Sequence, residues 1–107
     1  MDKQVTIEDC MLSRLKNLLF RANLLTLKSK KTIILYRSII EESDDIIEEE
    51  IATLSSSFVV VQVIIYGGCL VPNIQQQIVM DINEFPDWVM NRGKEIFQKI
   101  VENLESK

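Results

Sequence analysis

Ile39-Ile40-Glu41-Glu42-Ser43-Asp44-Asp45-Ile46-Ile47-Glu48-Glu49-Glu50 is the stretch on which the fold turns. Its isoleucine pairs return after seven residues. Followed in both directions, the same step links Val5, Leu12, Leu19, Ile33, Ile40, Ile47 and Leu54, with Thr26 the polar interruption. An apolar side chain at every seventh position keeps one seam of a helix against a partner helix, so the spacing predicts a coiled-coil-like seam. Charge is segregated along the same stretch. Arg14, Lys16, Arg21, Lys28, Lys30, Lys31 and Arg37 come first, and Glu41, Glu42, Asp44, Asp45, Glu48, Glu49 and Glu50 follow. Blocks of opposite sign favour an antiparallel partner that sets plus against minus, within the chain or across a dimer.

Toward the N-terminus, Thr6 with Asp9 three residues on has the form of a capping box and predicts a helix start. Met11, Leu12, Leu15, Leu18, Leu19, Ala22 and Leu25 then recur at helical spacing. Thr26, Ser29 and Thr32 interrupt the apolar pattern and suggest a helical hairpin. The hairpin is the favoured reading; no Gly or Pro precedes Gly67, so one unbroken helix over residues 6–54 is its alternative. Thr32-Ile33-Ile34 also suits the start of a short strand. Phe20, Leu24, Leu27, Ile34 and Leu35 lie off the seven-residue stripe; they need another cover, and a binding surface for a protein partner is expected there.

Toward the C-terminus, Ser55-Ser56-Ser57 ends the helical pattern. Phe58 to Tyr66 is dense in β-branched residues and predicts a strand, Gly67-Gly68 a tight turn, and Ile74 to Ile82 a returning strand after a break at Pro72-Asn73. A two-stranded hairpin is marginal alone, so it must lie on helices or join another copy's sheet. Asn83 is placed to cap a last helix. Pro86 lies near its start, Trp88, Val89, Ile96, Phe97, Ile100 and Leu104 form its apolar side, Trp88 is a core anchor, and Gly93 marks a close crossing.

Composition narrows the function classes. The 107 residues suit one domain, small enough that association commonly completes its burial. The net charge of −4 speaks against nucleic acid as main partner, although the block around Lys28, Lys30 and Lys31 keeps a nucleic-acid-binding regulator as an alternative. Histidine is absent, which removes the commonest general base and zinc ligand. Glu41, Asp45, Glu48 and Glu49 have the spacing of carboxylates on successive helical turns, but no Glu-x-x-His accompanies them, and a solvated face is the simpler reading. Cys10 and Cys69 lack metal-knuckle spacing and read as reduced thiols of a cytoplasmic protein with no signal peptide or lipidation motif. Residues 51–71 carry no charge and are long enough to span a bilayer as a helix, a second alternative opposed by the serines, Gln62 and the Gly-Gly pair.

The sequence therefore predicts an α+β protein: a helical N-terminal half, a central β-hairpin and a C-terminal helix. The expected function is a non-catalytic, homo-oligomeric interaction module, an adaptor, assembly factor or inhibitor, without cofactor, metal or catalytic residues. Its interaction residues are Leu12, Leu19, Ile33, Ile40, Ile47 and Leu54 of the seam and the off-stripe Phe20, Leu24 and Leu27.

Overall fold

The structure, a computed structural model, describes residues 6–106; Val5, the first position of the expected seam, lies outside them. The chain is α+β, with α1 (Ile7–Ser29), β1 (Ile33–Ser43), β2 (Ile46–Ser55), β3 (Phe58–Gly67), β4 (Leu70–Asp81), α2 (Phe85–Arg92) and α3 (Lys94–Glu105). The strands form one antiparallel sheet in the order β1-β2-β3-β4, a meander in which each strand pairs with the next.

Helix α1 begins at the capping box the sequence predicts: Asp9 N–H donates to Thr6 Oγ1 at 3.0 Å, and Thr6 N–H donates back to Asp9 Oδ2 at 3.3 Å. It ends on Lys30 in the left-handed conformation. The expected helical half thus divides. Its first part is a 23-residue helix, but its second, with Ile33, Ile40, Ile47 and Leu54, is the β1–β2 hairpin. The helical seam is therefore not formed. Side chains alternate across a strand, so an odd step of seven sends Ile47 and Leu54 to opposite faces. For the same reason the doublet Ile46-Ile47 supplies one isoleucine to each side of β2.

The turns explain why the meander closes. Asp44 takes φ 51° in the two-residue link between β1 and β2, and Ser56 and Ser57 take φ 46° and 73° between β2 and β3. Such left-handed pairs match the strand twist but strain residues other than Gly, Asn and Asp. At the second turn the strain is held down by α1. Asn23 Oδ1 accepts from Ser57 N–H at 2.9 Å, and Asn23 Nδ2 donates to Ser57 Oγ at 3.0 Å. Gly67-Gly68 opens the third turn, as expected, but β4 runs on through Pro72. Because β4 is an edge strand, a residue without an amide proton is tolerated there.

One face of the sheet carries the core. Leu54, Ala52, Val59, Val61 and Met80 lie under Leu15, Leu18, Leu19 and Ala22 of α1, Phe85 and Val89 of α2, and Ile96, Phe97, Ile100 and Val101 of α3. Asn103 of α3 donates to the carbonyls of Ile34 (2.6 Å) and Leu35 (3.1 Å), where β1 bulges between Ile34 and Tyr36. The expected single last helix is two helices. Gly93, at φ 110° and ψ 177°, takes a conformation open only to glycine, and a Cβ there would meet nothing within 4 Å, so backbone conformation rather than a close crossing explains it. Asn83 does not cap it; Glu84 holds that position. Residues 51–71 lie in β2, β3, β4 and their turns, which overturns the transmembrane-helix alternative, and no described helix is long and apolar enough to cross a membrane.

Candidate interaction surface

The helices cover only one face and one end of the sheet. Strand pairing fixes which residues share the opposite, outer face. Ile34, Thr53, Val60 and Val79 form its first cross-strand row; Arg37, Ile51, Gln62 and Gln77 the second; Ile39, Glu49, Ile64 and Ile74 the third; Glu42, Ile47 and Tyr66 the fourth. A hydrogen bond of 2.7 Å from Gln62 Nε2 to Gln77 Oε1 runs along the second row. Antiparallel sheets with one wet face usually turn polar residues outward. Here isoleucine and valine hold most of the outward positions. Ile39, Ile74 and Val79 are 56%, 51% and 57% exposed, and Phe58, at the base of the same face, is 52% exposed. Exposed apolar residues at this density make the face a candidate contact surface.

The polar residues on this face are grouped. Tyr66 lies near Glu49, Glu42 and Arg37, and its phenol is held above the usual range by desolvation first and by the Glu49 carboxylate next, against an opposing pull from Arg37. At the far end of the sheet the β1–β2 hairpin carries Glu41, Glu42, Asp44 and Asp45; at the near end Lys28, Lys30 and Lys31 surround the passage from α1 into β1. Eleven residues of β1 separate the two ends, roughly 36 Å at ~3.3 Å per residue. That is several Debye lengths at physiological salt, about 8 Å each, so the blocks do not neutralise each other within one molecule. The two ion pairs among the described residues, Arg14 with Glu105 and Arg92 with Glu50, involve none of Lys28, Lys30, Lys31, Glu41, Glu42, Asp44 and Asp45.

At the boundary where the helical layer stops, Glu50 points inward and is 6% exposed. Arg92 donates to both of its carboxylate oxygens at 2.9 Å, and the Tyr36 hydroxyl donates to Oε2 at 2.8 Å. The guanidinium stands 4.8 Å from the Trp88 ring centroid, and Trp88 stacks on Phe85 at 5.6 Å. Trp88 is half-buried against the core, so its expected anchoring place is observed. Both carboxylate oxygens are hydrogen-bonded, which makes this cluster a structural brace.

The expected interaction residues separate. Leu19 and Leu54 are core, Ile33 packs half-buried against it, and Leu12 is half-buried. Ile40 is exposed at the β1 bulge, and Ile47 lies half-buried on the outer sheet face. Phe20, Leu24 and Leu27 form an exposed ridge on α1, flanked by Lys16, Arg21 and Lys28. Ile51, Val60, Ile64 and Val79 of the outer face are not among the residues that the sequence singles out. The signal for them is the β-branched run either side of Ser55-Ser56-Ser57, read at a period of two. A cleft of about 760 Å³ beside α1 is lined by Lys16, Asn17, Phe20, Asn23, Ser57, Asp81 and Asn83, among others; there Asn23 donates to the Ser57 hydroxyl and the Asn83 backbone amide donates to Asp81 Oδ1. Compared with known proteins, the chain matches no family, no curated protein and no solved structure.

Proposed function

We propose that this protein is a non-catalytic protein-interaction module whose working surface is the outer face of the sheet. The observation that carries the proposal is the run of outward isoleucines and valines across all four strands, with the helices on the other side. Leaving such a face wet forfeits ~25 cal/mol for each Å² of apolar surface that a partner would remove from water. The coiled-coil seam has no part in this function; the sheet takes over the role of contact surface.

Thiol accessibility tests it. With Cys10 and Cys69 replaced by serine, a single cysteine is placed at Ile64 or, as a control on the outer side of α3, at Gln98. Circular dichroism checks that both variants fold. Raising the protein concentration or adding extract of the source cells should slow labelling at position 64 about tenfold or more while leaving position 98 unchanged, since a protein interface excludes solvent from its centre. Equal rates at both positions under all conditions would refute the proposal.

A further inference from the structure

We infer that the occupant of the outer sheet face is a second copy of this chain, stacked with its strands reversed so that the acidic tip of each copy lies over the basic base of the other. The inference rests on the outer face being a contact surface, as proposed above, and adds the partner and its orientation.

Three observations select this arrangement. The first is charge. Lys28, Lys30 and Lys31 sit where β1 begins, Glu41, Glu42, Asp44 and Asp45 sit where it ends, and neither group has an ion-pair partner among the described residues. A twofold axis lying in the interface and perpendicular to the strands places β1 over β1 of the partner in the opposite direction, and brings each lysine group over an acidic tip. A twofold axis along the strands would gather both acidic tips at one end, which like-charge repulsion disfavours.

The second observation is the placing of Arg37. Reversal lays each strand over its own counterpart and the second row over the partner's third, so Arg37, the one base among the outward-facing rows, comes over the partner's Ile39 with the partner's Glu49 one strand away, whereas an axis along the strands would put it over Gln77.

The third is area. Four strands at ~4.8 Å spacing, along a face roughly 36 Å long, present about 700 Å². A stable interface of ordinary size takes about 600–1,000 Å² from each partner, so a face of this size lies within the range that holds a dimer.

The experiment uses the purified 107-residue chain at low ionic strength. Light scattering should give twice the 12.4 kDa chain mass. A tip variant (Glu41→Lys, Asp44→Lys, Asp45→Lys) and a base variant (Lys28→Glu, Lys30→Glu, Lys31→Glu) should each dimerise about 10-fold or more weakly, and their equimolar mixture should associate again, because the mixed pair regains opposite charges at one end. In a mixture of isotopically light and heavy copies, zero-length carbodiimide cross-links should join Lys28, Lys30 or Lys31 of one copy to Asp44 or Asp45 of the other. A monomer at every accessible concentration would overturn the inference; position 64 still being shielded in extract would then leave the contact surface standing with a different partner. A dimer indifferent to both charge variants, or one that survives Ile64→Lys, would overturn the reversed face-to-face stacking in favour of parallel or edge-to-edge pairing.

Discussion

Arg92 grips Glu50 with two hydrogen bonds of 2.9 Å at the line where the helices stop covering the sheet. Glu50 is the buried acid of an otherwise solvated acidic stretch, and its position is set by strand alternation: Ala52 and Leu54 point to the core, so Glu50 must too. The carboxylate's partner comes from the last turn of α2, 42 residues away.

Removing Arg92 should therefore be costly. Arg92→Ala leaves a carboxylate in a nearly dry site with only Tyr36 as donor, and should destabilise the fold by ~2–3 kcal/mol, at or below the lower limit for broken buried pairs because Arg92 itself is partly exposed. The double variant Glu50→Leu/Arg92→Leu should recover most of that loss. Urea unfolding of the two variants beside the wild type measures both.

Tyr36 should resist ionisation. Burial first and the Glu50 carboxylate next push its phenol far above the usual 10.0, with Arg92 opposing. The folded state therefore keeps a proton that the unfolded chain releases above pH ~10, so stability should fall as pH rises past that point and be unaffected by this group below it. Absorbance near 295 nm should show one tyrosine ionising only with unfolding; Tyr36→Phe should abolish that coupled step.

Asn23 should matter more than an exposed-looking helix residue would. It ties the strained Ser56-Ser57 turn to α1 through Ser57 N–H and Oγ. Asn23→Ala should lower stability by ~1–2 kcal/mol, and Ser56→Gly in that background should return part of it by relieving the left-handed backbone. Thermal melts of the single and double variants provide the comparison.

Gly67→Ala should loosen the far end of the sheet. At φ 127° no other residue sits comfortably, and a Cβ would run into the Asp45 carbonyl. Amide exchange should accelerate at the β1–β2 and β3–β4 turns and remain slow in Leu54 and Val59, because the core lies at the opposite end.

Parts of this architecture are legible in the residues. The Thr6–Asp9 capping box, the apolar face of α1, the strand from Phe58 and the Gly67-Gly68 turn all follow from local chemistry that tertiary contacts do not override. The β1–β2 hairpin is harder. Its isoleucine doublets satisfy a seven-residue helical repeat and a two-faced strand equally well, and glutamate and aspartate at the tip disguise a turn that carries neither Gly nor Asn. The serine triplet misleads for a related reason: Ser56-Ser57 turns tightly only because Asn23, 34 residues away, supplies the missing hydrogen bonds. Of the expected contact residues, Phe20, Leu24 and Leu27 are exposed because they lie opposite the buried stripe of α1. The outer sheet face becomes legible only when residues 33–55 are extended, because strand pairing is what sets Ile39, Ile47 and Ile51 in the same face as Val60, Ile64 and Ile74.

The most direct test is the light-scattering mass of the wild-type chain beside Ile51→Lys/Ile64→Lys, two outward positions whose change leaves the core intact. A wild type of twice the 12.4 kDa chain mass and a folded variant at the single-chain mass are expected. Identical masses for the two proteins would contradict the assignment of the outer sheet face as the surface through which this protein associates with a second copy.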